Sequence, residues 1–143
     1  MKVKFEKKKD LEENFLVLQA KEKTNEIDSI IKDIEHVKTV LNCSNKDKNV
    51  LIPCNLFIRF FSCNKKIYGS TIDYEYLVKY RLYELESFLQ KNFLRISNNE
   101  IINIDYIAKL EVTSVGIIII YFKNGEQTSS SRRYLKSIKE CLL

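Results

Sequence analysis

The amino-acid sequence predicts an α+β fold that is mostly β, and three observations carry the prediction. Short apolar runs rich in Ile, Val, Phe and Tyr, separated by polar turn residues, recur from Val50 to Ser129. Only three stretches set apolar residues at helical spacing. The Asn124-Gly125 dipeptide follows the apolar run Ile117 to Phe122 and is the strongest hairpin signal in the chain.

Taken in order, the first element expected is a strand at Val3 and Phe5, which alternate with lysines. A second follows within Asn14 to Ala20, where Phe15, Val17 and Leu18 fall. From Thr24 the spacing changes. Ile27, Ile30, Ile31, Ile34, Val37 and Leu41 recur every three or four residues, predicting an amphipathic helix that ends near Asn42, with Thr24 or Asn25 as N-cap. Residues 1–42 thus form a β-β-α leader. Cys43 to Asn49 is polar and charged and reads as a linker, so a second domain is expected over residues 43–143.

In that domain, strands are expected at Val50–Ile52, Leu56–Phe61, Ile67–Tyr68 and Tyr74–Val78, broken by Pro53, Asn64-Lys65-Lys66 and Gly69-Ser70. Leu82, Leu85, Phe88 and Leu89 share one face of an internal helix ending around Asn92. Strands resume at Phe93–Ile96, Ile101–Ile104, Ile107–Val112 and Ile117–Lys123, and Glu126–Ser129 returns from the Asn-Gly turn. The Ile117–Ile120 run would invite aggregation at an edge and is expected to be central in its sheet. A C-terminal helix over Tyr134–Leu142 turns Leu135, Ile138 and Leu142 inward.

Composition limits the function classes. A chain of 143 residues, 45% hydrophobic, with three Gly and one Pro, can bury a core and is neither disordered nor fibrous. Cys43, Cys54, Cys63 and Cys141 form no CxxC pair, and His36 is the only histidine, so reduced thiols and no metal site are expected. No apolar run reaches the length of a membrane span, and residues 1–10 are charged throughout, which points to the cytoplasm and no membrane insertion. Phosphate loops, HExxH and DxDxDG patterns are absent. The acids at Glu84 and Glu86, and at Asp73 and Glu75, read as solvated faces, so neither catalysis nor a cofactor is expected.

The charge is unevenly distributed. Residues 1–42 hold nine Lys/Arg against nine Asp/Glu, whereas residues 43–143 hold fifteen against ten, which places the whole excess of +5 in the second domain. A basic domain suits a polyanionic partner. Three polar turn segments carry matching chemistry: Asn64-Lys65-Lys66, Ser97-Asn98-Asn99 and Ser129 to Arg133, which includes Ser131, Arg132 and Arg133. Arg forks onto guanine, Asn pairs bidentately with adenine, and Lys and Ser grip phosphates. Read singly, Ser97-Asn98-Asn99 is a tight turn and Arg132-Arg133 a charged helix start.

The order of these pieces resembles a known family. Arg81-Leu82-Tyr83-Glu84-Leu85-Glu86, then Leu89, Phe93-Leu94-Arg95-Ile96, two Asn, and Ile101-Ile102-Asn103 before Ile107 form one signature. Phe122-Lys123-Asn124-Gly125 and Ser131-Arg132-Arg133-Tyr134 before an apolar-spaced helix form a second. From Pro53 to its end the chain resembles a LytTR domain, the output module of many bacterial two-component regulators and of short stand-alone regulators. The resemblance implies an elongated β module whose interstrand loops enter successive major grooves of double-stranded DNA, typically at imperfect direct repeats. It assigns base reading to Asn98 and Arg132, and a first DNA loop to Asn64 through Lys66. Family members often carry Ser where Asn99 stands and an acidic residue where Phe61 stands. The leader is too short for a receiver domain, and its Ile stripe is available for a homodimer, for a regulatory partner protein, or for packing on its own domain.

The reading is a DNA-binding transcription regulator that acts without catalysis. An RNA-binding protein would use the same basic loops, but the strand aromatics expected for base stacking are not evident. A protein-interaction module is the third reading.

Overall fold

A computed structural model describes residues 3–12, 16–35 and 40–143. The chain divides into two compact units, residues 1–37 and residues 38–143.

In the first unit, helix α1 spans Asn25–Glu35. Thr24 caps it, its Oγ1 accepting the Ile27 amide at 3.2 Å while its carbonyl accepts Asp28 N at 3.0 Å. The two leader strands expected from the sequence are absent from residues 3–12 and 16–20; residues 13–15, Asn14 and Phe15 among them, lie outside the described residues. Val3 is 94% exposed, Phe5 88% and Leu16 67%, so these apolar residues have no buried face on which a strand pair could form. The predicted helix also runs too far. Val37 lies outside the described residues, and Leu41 and Asn42 belong to a strand.

The second unit opens with β1 (Val40–Asn45) and β2 (Lys48–Pro53), an antiparallel hairpin where the sequence suggested a linker. Lys46 and Asp47 turn the chain at φ 45° and 68°, the left-handed pair that a two-residue hairpin requires. The polar residues of 43–49 misled because Leu41 and Cys43 alternate inward and are both buried, a period of two hidden behind a chance helical spacing. The remaining strands and α-helices are β3 (Arg59–Cys63), β4 (Lys66–Ser70), β5 (Glu75–Val78), α2 (Leu82–Phe88), β6 (Phe93–Ser97), β7 (Glu100–Asn103), β8 (Ile107–Val112), β9 (Ile118–Phe122), β10 (Gln127–Ser129) and α3 (Leu135–Leu142), with 3₁₀ turns at Cys54–Leu56, Ile104–Tyr106 and Arg132–Tyr134.

Seven strands form one antiparallel sheet in the order β2-β1-β5-β4-β3-β7-β6, and three form a second, β10-β9-β8. The run Ile118–Phe122 is central in the second sheet, as its uniform apolarity required, with Ile118, Ile120 and Phe122 buried. The Asn124-Gly125 turn is present: Gly125 takes φ 89°, and its amide bonds the Phe122 carbonyl at 3.0 Å before β10 returns.

Neighbouring residues serve opposite faces of the large sheet. Phe57 and Ile101 join Phe60, Leu41, Leu82 and Leu85 in one core, whereas Ile58 and Ile102 join Ile118, Ile120, Phe122 and Ile138 in another. β7 is buried at all four positions. Its last residue, Asn103, is fully buried and satisfied: Nδ2 donates to Phe57 O at 2.9 Å, and Oδ1 accepts Asp105 N at 3.0 Å and Asn92 Nδ2 at 3.2 Å. A side chain that fastens two loops to the end of β7 explains an Asn after Ile-Ile. Of the four thiols, Cys43 and Cys54 are buried, with burial pushing both pKa values up to about 11, while Cys63 and Cys141 are exposed.

Candidate nucleic-acid interface

The three segments singled out by their chemistry all lie at strand ends of the second unit. Asn64 and Lys65 are the central residues of the β3–β4 turn, at φ 50° and 63°, and Lys66 begins β4 opposite Cys63. Both side chains project from a turn whose backbone is fixed by the flanking ladder.

Ser97-Asn98-Asn99 joins β6 to β7 across a register shift between Arg95 and Ser97. Arg95 holds this turn. Its Nε donates to Ser97 O at 2.8 Å, its Nη2 to Asn98 O at 2.7 Å and its Nη1 to Glu86 Oε2 at 2.9 Å, with the side chain only 16% exposed. A planar guanidinium fits this task because its donors are fixed relative to one another. The Asn99 amide donates to Ser97 Oγ at 3.1 Å, and Ser62 N donates to Asn99 O at 2.8 Å, tying the turn to β3.

The third segment lies alongside the second. Ser131 N donates to Ile96 O at 3.0 Å, next to the turn, and buried Ser130 bridges to Ile118 through both its amide and its Oγ. Arg132, Arg133 and Tyr134 form a 3₁₀ turn leading into α3. Tyr134 Oη donates to Asn98 Oδ1 at 3.2 Å, so the Ser-Arg-Arg segment and the Asn turn meet directly. Arg132 and Arg133 are exposed and form no ion pair among the described residues.

Behind these turns sits a buried polar joint. Glu100, the residue after Asn99, accepts Arg59 Nη1 at 2.9 Å and Thr128 Oγ1 at 2.5 Å, while Arg59 also approaches Glu126 at 3.5 Å. Thr128 lies on β10, so this one carboxylate links the two sheets at the base of both turns. Burial raises its pKa above the ordinary 4.5, opposed by the Thr128 hydrogen bond and the Arg59 charge.

The structure therefore brings the second and third segments into contact. It sets the first beside the second across an open groove lined by Lys65, Lys66, Asn98 and Asn99. Arg81, Arg95 and Tyr134 stand in the sequence signatures but received no functional role there, and Lys79 was not singled out at all. Arg95 had a detectable signal, a lone cation on an otherwise apolar strand two residues before a turn.

The fold and the turns define a β-rich module that presents polar interstrand loops, and comparison with known proteins identifies the family. The LytTr DNA-binding domain family matches residues 47–143, and the chain belongs to it. An uncharacterized HTH-type transcriptional regulator of Staphylococcus aureus strain NCTC 8325 / PS 47 is 37% identical over 133 residues, covering 91% of this chain and 90% of the relative. Another such regulator, of S. aureus strain MRSA252, is 36% identical over the same shares. These alignments are longer than the matched domain, so the likeness extends into the leader. Among solved structures, a LytTr DNA-binding domain of a response regulator from Bacillus cereus superposes with a TM-score of 0.70 at 24% identity, covering 73% of this chain and 97% of that one, and shows the shared fold. Among the described residues no two α-helices follow one another in the chain, so the helix pair in the relatives' name has no counterpart in this element order.

Proposed function

We propose that the chain is a transcription regulator that binds double-stranded DNA sequence-specifically, its interstrand loops entering the major groove. The observation that carries the reading is the contact between the Asn98 turn and the Arg132 segment, both anchored on paired strands. Arg and Asn side chains on rigid mounts are what base-edge recognition needs, because every degree of freedom frozen beforehand is one that binding need not freeze. Asn98 and Arg132 meet base edges, with Ser97, Asn99, Ser131 and Arg133 around them, while Lys65 and Lys66, in the first loop with Asn64, grip phosphates. Tyr134 occupies one lone pair of Asn98 Oδ1, leaving the other lone pair and Nδ2 for adenine.

The regulator acts by occupancy of promoters, without catalysis or cofactor, on imperfect direct repeats in the cytoplasm. No helix among the described residues is long and apolar enough to cross a membrane. The α1 stripe of Ile27, Ile30, Ile31 and Ile34 serves either to pack on the chain's own domain or as a surface for a homodimer or a regulatory partner. A gel shift on the DNA upstream of the chain's own gene, with RNA and heparin as competitors, tests the reading. Retained duplex binding against excess RNA is expected, and preference for RNA or single strands would overturn it.

A further inference from the structure

We propose that Lys79 and Arg81, outside all three loops, complete with Lys65 and Lys66 a groove that holds the phosphodiester backbone of duplex DNA beside the Asn98 turn; the inference rests on the DNA-binding reading above. The groove is open, with a volume of about 720 Å³, and runs from the β3–β4 turn past the end of β5 and the start of α2 to Asn98 and Asn99. No aspartate or glutamate lines it.

Its cations come from separate elements that the fold brings to one surface. The β4–β5 register pairs Ile67 with Val78, so Lys66 at the start of β4 and Lys79 just past β5 come to the same end of the two strands. Lys65 takes a left-handed φ of 63°, a conformation that glycine or asparagine adopts more readily. Among the described residues none of the four forms an ion pair; Lys79 Nζ donates only to the neutral Asn49 Oδ1, at 3.0 Å. By contrast Arg95, in the same groove, is committed to Glu86 and to turn carbonyls. Four cations outside any ion pair among the described residues, around one concave surface, concentrate positive potential there, although the Glu84 carboxylate accepts the Arg81 amide at 3.3 Å. A polyanion suits that potential, and the continuity of the groove with Asn98 and Asn99 makes that polyanion the strand whose bases the neighbouring turn reads.

A grip on phosphate is independent of sequence, so the test needs no operator. Full-length protein is titrated by fluorescence anisotropy with a mixed-sequence duplex roughly two helical turns long over a series of KCl concentrations. Lys79→Gln with Arg81→Gln should weaken binding and lower the log–log salt slope by about two, one for each phosphate no longer neutralised. Lys91→Gln with Lys109→Gln removes the same charge away from the groove and should leave the slope at the wild-type value. A wild-type slope in the groove variant, or an equal drop in the control pair, overturns the inference while the DNA-binding reading stands. Wild-type protein that binds no duplex overturns the reading itself. Substitutions that weaken single-stranded RNA more than duplex would assign the groove to RNA instead. If circular dichroism shows the double variant misfolded, Arg81→Gln alone carries the test, with an expected drop of about one.

Discussion

Replacing Arg95 with alanine should disable specific binding out of proportion to its effect on folding. The guanidinium makes three hydrogen bonds of 2.7 to 2.9 Å, to Ser97 O, Asn98 O and Glu86 Oε2. A hydrogen bond with a charged donor is worth about 1.5–3 kcal/mol where the acceptor is left unsatisfied, but the turn carbonyls regain water once the side chain is gone. The partner Glu86 is 54% exposed and contributes little. Loss of folding stability should therefore be about 2–3 kcal/mol, read as a urea midpoint shift. Binding also suffers because Ser97 and Asn98 become free before DNA arrives. Refixing two backbones costs about 1–2 kcal/mol each, so affinity for a selected site should fall roughly 30-fold to 1,000-fold. Fluorescence anisotropy with selected and random duplexes measures both. Arg95→Lys should rescue little, since an ammonium cannot reach both carbonyls in one plane. Selected-site affinity within threefold of wild type, with the fold intact, would refute the claim that Arg95 pre-shapes the turn.

Three further expectations concern the scaffold. Removing residues 1–37 should leave a folded sheet by circular dichroism. Removing residues 1–42 also takes Leu41, 1% exposed and paired with Ile52, and should lower Tm by at least roughly 8 °C, since losing a buried Leu costs about 2–5 kcal/mol. Gly69→Ala should cost about 1–3 kcal/mol in thermal unfolding, because its Cβ would lie 2.5 Å from the ring of buried Phe57, itself packed on Phe60. Glu100 has a folded pKa above its ordinary 4.5, so its contribution to stability is full at pH below that value and is lost as pH rises through the raised pKa. Glu100→Gln should therefore gain stability relative to wild type as pH rises through that window, in urea titrations from acid to neutral pH.

Much of the second unit was legible because its signals are local. β8 falls on Ile107–Val112 as predicted, and the alternation of Ile118, Ile120 and Phe122 with the Asn-Gly turn marks β9 and β10. The internal and terminal helices also stand where their apolar spacing put them, though α2 stops at Phe88, short of Asn92. What failed was context. Leu41 satisfies helical spacing after Ile34 and strand alternation with Cys43 equally well, and only the partner strand β2 decides between them. Val3 and Phe5 have the alternation of a strand but no buried face. For the candidate site, residue types pointed to the turns, while the bonds that fix them join residues far apart in sequence. Tyr134 with Asn98, and Thr128 with Glu100, are separations no spacing rule reaches. Lys79 was equally hidden, since its neighbour Lys66 comes to it only through the β4–β5 register.

The central claim is that Asn98 and Arg132 read bases while Lys65 and Lys66 grip the backbone, and the ratio of selected-site to random-DNA affinity tests it most directly. Asn98→Ala and Arg132→Ala should each weaken the selected duplex by about 1–3 kcal/mol and leave random duplex nearly unchanged, so the ratio collapses. Lys65→Ala with Lys66→Ala should weaken both duplexes alike and reduce the salt slope, leaving the ratio intact. An unchanged ratio in the Asn98 and Arg132 variants, with the sheet signal intact, would contradict the account and return both residues to the roles of turn former and solvated helix start.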